Sequence, residues 1–174
     1  MWWKNRKENN EKSADQETAW EKRPMTREEI EKNLEEMTDE APDLARKIFE
    51  ASGQEPKDYT PLIRECMAAM IFGMLGAMSM VRLGYHEGRW TIGEMTMLSM
   101  VFFGMSPDES AGLSGYLFSN SSTKRNPDFN VNINTLIHYG IELYFLLDQP
   151  KRLAEAVQTI LQACYKDFGT GEGN

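Results

Sequence analysis

At 174 residues, with 41% apolar residues, 26% charged residues and a formal net charge of −8, the chain fits one globular domain able to bury a core. That acidity excludes binding driven by phosphate, because nucleic acid and anionic lipid are held by Lys and Arg that release condensed counterions. A basic protein partner is expected instead, without nucleic acid and without a membrane.

Residues 1–24 mix charges of both signs with Trp2, Trp3 and Trp20 and offer no periodic apolar face, so they are expected to form a polar, flexible arm. The polar run after Met1-Trp2-Trp3 lacks the apolar stretch of a secretory signal, which points to a cytoplasmic chain. A single helical domain is expected at 25–169 and a flexible tail at 170–174.

The first helix opens at Thr26, where Thr26-Arg27-Glu28-Glu29 is a capping box, and Ile30, Leu34 and Met37 follow at helical spacing. Pro42 predicts a break and a second short helix carrying Leu44, Ala45, Ile48 and Phe49, which Gly53 would end. Thr60-Pro61 starts a long helix to about Leu83, uncharged between Glu65 and Arg82. There Met67, Ile71, Met74, Met78 and Val81 form a core stripe, and Ala69, Gly73 and Ala77 form a small face suited to close helix approach. Its sixteen uncharged residues fall short of a bilayer span, so it reads as the buried centre.

Two further capping boxes, Thr91/Glu94 and Ser106/Glu109, place the next helix starts. The first of these helices carries Ile92, Met95, Leu98, Val101 and Phe102 as its apolar face, and the second carries Leu113, Tyr116 and Leu117. Phe129, Val131 and Ile133 alternate with asparagines, a pattern for a short extended segment. A second buried helix follows at 134–147, and Pro150 opens a last one lined by Leu153, Val157, Ile160, Leu161, Cys164 and Phe168. The pattern predicts an all-α fold, an irregular bundle of six or seven helices around two buried central helices, 60–83 and 134–147.

Motifs that carry chemistry are scarce. Cys66 and Cys164 stand in no zinc or C-x-x-C spacing, and buried reduced thiols are expected. His138 and Glu142 at i, i+4 predict a hydrogen-bonded pair rather than a metal site, since a His and a carboxylate leave a metal short of ligands. The Asn126–Asn134 ladder has a calcium loop's alternation but neither its glycine nor its bidentate glutamate, so no metal and no cofactor are expected. The segment Tyr85-His86-Glu87-Gly88-Arg89-Trp90 mixes an acid, a base, a guanidinium and two aromatics, which makes Tyr85, His86, Glu87 and Arg89 candidate loop contacts, with Trp90 anchored in the core. Nine of the twelve methionines lie between Met67 and Met105 at helical spacings that favour core over a binding groove.

The marked asymmetry is charge. Residues 26–43 hold eight acids against two bases, a net of −6 within a chain of −8. Glu28, Glu31, Glu35, Glu36, Asp39 and Glu40 are the candidate contacts for a basic partner, in a protein that binds stoichiometrically and catalyses nothing. In being small, acidic and cytoplasmic in character, the chain resembles bacterial immunity and antitoxin proteins, a likeness of character that rests on no aligned motif. The resemblance implies neutralisation of a toxin, such as a nuclease, by covering its active site. Two alternatives from other classes are a helical enzyme or small-molecule sensor built around His86, Glu87, Arg89, His138 and Glu142, and a membrane-associated adaptor using Trp2, Trp3 and the 66–81 run.

Overall fold

A computed structural model describes residues 24–84, 89–120 and 132–168. The expected N-terminal arm up to residue 23, the tail beyond 169, the loop residues Tyr85, His86 and Glu87, and most of the asparagine ladder lie outside the described residues. Six α-helices and no strand occur among those described, in agreement with the all-α expectation.

Helix α1 (Arg27–Ser52) begins as the capping box requires: Glu29 N–H donates to Thr26 Oγ1 at 3.2 Å and Thr26 N–H donates to Glu29 Oε2 at 2.8 Å. It ends at Gly53, whose φ of 70° is the left-handed geometry that glycine reaches without strain. The break expected at Pro42 does not occur, and the two helices read from the sequence are one helix of 26 residues. An interior proline removes one backbone bond and costs about 3 kcal/mol. Here the buried series Met37, Ala41, Leu44, Ala45, Ile48 and Phe49 passes Pro42 without a change of phase, so one continuous face packs on the bundle and offsets that loss.

Helix α2 (Pro61–Leu83) starts with Thr60 as N-cap, its Oγ1 accepting from Ile63 N–H at 3.3 Å, and is the core helix of the bundle. Expected from its sixteen uncharged residues to fall short of a bilayer span, the whole helix of 23 residues is in fact long and apolar enough to cross a membrane, and most of that stretch is buried by other helices. Helix α3 (Arg89–Phe102) begins before Thr91, so the expected Thr91/Glu94 box lies inside the helix rather than at its start. Helix α4 (Pro107–Asn120) follows Ser106, whose N–H and Oγ both donate to Glu109 Oε2 at 2.9 and 2.8 Å. Those bonds hold the Glu109 carboxyl below its usual range.

Helix α5 (Ile133–Tyr144) is capped by Asn132, which accepts from Thr135 N–H at 2.8 Å, so this part of the asparagine alternation caps a helix and Ile133 belongs to it. The helix stops three residues short of the expected Leu147: the chain tightens into i→i−3 bonds, Phe145 N–H to Glu142 O and Leu146 N–H to Leu143 O. Helix α6 (Pro150–Phe168) buries Leu153, Val157, Leu161 and Cys164, whereas Ile160, expected on that inner face, is only half-buried.

The most extensive helix contact joins α2 to α5. Its centre is Gly73 facing Gly140: a Cβ built on Gly73 would fall 1.9 Å from Ile137 O, and one on Gly140 would fall 2.0 Å from Met70 O. Each Cα–H therefore points at a carbonyl oxygen of the other helix, a reciprocal pair of weak hydrogen bonds. The small face read from the sequence is real at Gly73. Helix α5 presents one face to α2 through Leu136, Ile137 and Gly140 and leaves its other side partly open, so it is less central than α2. Helix α1 packs on α2, α3 and α6, with Phe49 stacked on Tyr59 at 5.3 Å and tilted against Phe103 at 4.0 Å. The reading of the methionines as core holds for Met67, Met70, Met74, Met78, Met95 and Met100, all buried, but Met80 and Val81 are exposed.

Gly73→Ala is expected to destabilise the fold by about 3 kcal/mol or more, since backbone rather than a movable side chain blocks the new methyl. Gly76→Ala, where nothing lies within 4 Å, is expected to stabilise it by about 0.5–1 kcal/mol. Denaturant unfolding of the two variants checks both signs.

Candidate functional site

The continuity of α1 through Pro42 decides how its acids are arranged. Glu28, Glu31, Glu35 and Asp39 recur at spacings of three and four and form one exposed strip, while Glu36 and Glu40 form a second strip a third of a turn away. Arg82, near the end of α2, holds the second strip. Its guanidinium donates to Glu40 Oε1 and Oε2 at 2.8 and 2.6 Å and lies 3.8 Å from Glu36. Lys32 adds a longer contact to Glu36 at 3.7 Å.

The first strip is differently placed. Glu31 pairs with Arg27 at 2.7 Å, both side chains mostly in solvent, where such pairs are worth little. Glu28, Glu35 and Asp39 are exposed and form no ion pair among the described residues. Thus the structure separates the six sequence-predicted acids into two held by Arg82 and four on an outward strip.

That strip faces the side of α1 on which α3 lies. Phe49 packs tilted against Phe103, and Arg46 of α1, paired with Asp43 at 2.7 Å, sits with its guanidinium carbon 5.7 Å from the centre of the Phe102 ring, a cation–π contact across the two helices at the surface. Both helices run from the Arg82 end of α2 towards its start, so Trp90, the second residue of α3, lies towards the acidic half of α1.

Trp90, expected in the core, is 79% exposed and stacks on Phe118 at 5.1 Å. Leu98, Val101 and Phe102, expected on the buried face of α3, are exposed by 46%, 38% and 59%. The buried face is Ile92, Met95, Thr96, Ser99 and Met100. Helix α3 is apolar nearly all round, so periodicity alone did not tell its two sides apart. The available signal was the hydroxyls: Thr96 and Ser99 share the inner face with Ile92 and Met95, and α4 likewise buries Ser110 and Ser114. Short side chains there let the helices pack closely, and Thr96 Oγ1 donates back to Ile92 O at 2.9 Å.

Of the other sequence candidates, Arg89 is the first residue of α3, with its side chain outside the described set. The expected His138–Glu142 bond does not form. His138 Nε2 is buried without a hydrogen-bond partner among the described residues, and Glu142 instead lines an open hollow of about 460 Å³ between α5 and α6, with Arg152, Glu155 and Thr159. The two residues diverge because the α5 positions beside α6 look into that hollow, and His138 is not among its lining residues. No group of three or more metal-ligating side chains occurs among the described residues.

Cys66 and Cys164 are buried thiols not joined in a disulfide, as expected, and the fold brings them together between α2 and α6. The hydrogen bond with Cys164 and the surrounding apolar burial push the Cys66 thiol far above its ordinary range. Burial likewise raises the Tyr59 phenol.

Against known proteins, no family model, no curated protein and no solved structure matches the chain. The functional reading therefore rests on the surface itself.

The thiol contact has a consequence for pH. Above an ordinary thiol pKa of about 8.5 the unfolded chain releases a proton that the folded chain keeps on Cys66, so the unfolded state is favoured as pH rises. Stability is expected to be intact below that value and to fall above it by about 1.4 kcal/mol per pH unit for this one group. Urea unfolding in reductant between about pH 8 and pH 10 should show this slope, and Cys66→Ala should flatten it.

Proposed function

We propose that this chain is a non-enzymatic binding protein that takes up a basic protein partner in a one-to-one complex through the outward acidic strip of α1. The observation that carries this reading is the unequal treatment of the acids. Arg82 compensates Glu36 and Glu40, whereas Glu28, Glu35 and Asp39 stand exposed on one strip without an ion pair among the described residues. A row of like charges repels itself, and a cationic surface relieves that repulsion while its attraction speeds encounter.

The narrower form of this reading is a toxin-neutralising protein of the bacterial immunity or antitoxin kind. Its support is chemical: an enzyme that cleaves a polyanion such as nucleic acid presents a basic face at its active site, and an acidic strip is suited to cover it. No catalytic role for the chain itself is needed in this account.

Capture from the native host at low salt is expected to retain a basic protein at equal stoichiometry and to release it as salt rises. Replacing Glu28, Glu35 and Asp39 together by Lys should weaken that complex by at least about tenfold, roughly 1.4 kcal/mol, and reduce its salt dependence. Retention unchanged by this triple reversal would sink the proposal.

A further inference from the structure

Resting on the acidic-strip reading, the geometry points to a specific kind of contact element: we infer that the partner presents a cationic amphipathic helix, seated with its apolar face on the outer side of α3 and its basic edge along α1.

Three observations on the α3 side lead there. First, Trp90, Leu98 and Val101 recur at spacings of eight and three, with Phe102 beside them, so the exposed apolar groups form a strip along the helix rather than scattered singles. From Trp90 to Phe102 the strip is about 18 Å long, the length of some three helical turns. Second, the only charged side chain described on α3 is Glu94, which stands exposed on that strip between Trp90 and Leu98. Third, the face already holds one cation over an aromatic ring, Arg46 over Phe102, and Trp90 is the most exposed of the described large apolar side chains. A guanidinium or ammonium on the partner would find the same chemistry repeated at Trp90, which stacks on Phe118 at the end of α3 level with the acidic half of α1.

Charge selects this occupant over the others that an apolar strip admits. A second copy of the chain would bring the acidic strip close to its own equivalent, like charge against like. An anionic bilayer is repelled by the same carboxylates. A helix with apolar residues at i, i+3, i+4 and i+7 and Lys or Arg on one flank satisfies both strips at once, the usual form of helix-in-groove recognition. Neither strip alone accounts for the other's position.

The test uses the full chain and a defined probe, a designed peptide of about 18 Leu and Lys residues at helical spacing, long enough to form a helix when bound. Two controls accompany it: a scrambled peptide of the same composition and a version with Glu for Lys. The amphipathic peptide is expected to bind at low salt, to gain helicity by circular dichroism, and to perturb amide resonances on α3 and α1 rather than on α6.

Leu98→Ser with Val101→Ser, both at exposed positions that leave the core intact, should weaken binding about tenfold, as should Glu35→Lys with Asp39→Lys. If the scrambled peptide binds equally well and the serine variant changes nothing, the amphipathic inference falls while the acidic-strip reading survives. If the lysine variant also changes nothing, both fall. Uptake on phosphatidylcholine vesicles that is sensitive to the serine variant but not to the lysine variant would assign the strip to a membrane instead. A concentration-dependent dimer abolished by the serine variant would assign it to a second copy. Either outcome overturns the inference.

Discussion

The arrangement of the bundle depends on one backbone contact. At Gly73 and Gly140 two helices meet with nothing between them, and the missing side chains let each Cα–H reach a carbonyl oxygen of the other. Glycine inside a helix costs about 1 kcal/mol relative to alanine, so two of them facing each other are unfavourable unless the approach they permit returns more. It does so by bringing Met70, Leu136 and Ile137 into dispersion contact along the crossing. With α2 and α5 locked together, α2 presents its remaining sides to α1 and α3, and the position of the acidic strip follows from that seating.

Continuity through Pro42 is the second constraint, and it shapes the surface more than the core. A helix broken there would have set the acids before the proline and the apolar residues after it on separate axes. Because the helix runs on, the seven-residue relation between Asp39 and Arg46 keeps both on one side, so the acidic strip lies on the same flank as the Arg46–Phe102 contact with α3. The opposite flank carries Glu36 and Glu40 to Arg82. One side of α1 is thereby a structural ion-pair face and the other a solvated one, from a sequence in which all six acids look alike.

This explains which parts of the fold were legible in the sequence. Helix starts with paired caps were readable at Thr26/Glu29, Thr60-Pro61 and Ser106/Glu109, because a cap is a local interaction set by neighbouring residues. Thr91/Glu94 has the same residues without that role, since nothing in four residues specifies that the helix has already begun at Arg89. Pro42 misled for the opposite reason: a local penalty was outweighed by burial that only the assembled bundle supplies. The acidic strip was visible as composition, but its division by Arg82 was not, because that partner lies on another helix. The exposed apolar strip of α3 was hidden by its uniform hydrophobicity.

The two sides of α3 reverse the usual economy of a surface helix. Thr96 and Ser99 are buried while Leu98, Val101 and Phe102 meet solvent, although exchanging those roles would remove apolar area from water. Ser99, Ser110 and Ser114 also have buried hydroxyls without a hydrogen-bond partner among the described residues, a further cost to the isolated chain. A sequence under selection for monomer stability alone has simple substitutions that correct each of these. The buried hydroxyls are an internal cost that no surface contact relieves, whereas the exposed Leu98, Val101 and Phe102 are the part of this helix that covering would stabilise. In the proposed complex the acids would act at long range to bring a basic partner in, and the apolar strip at short range to hold it.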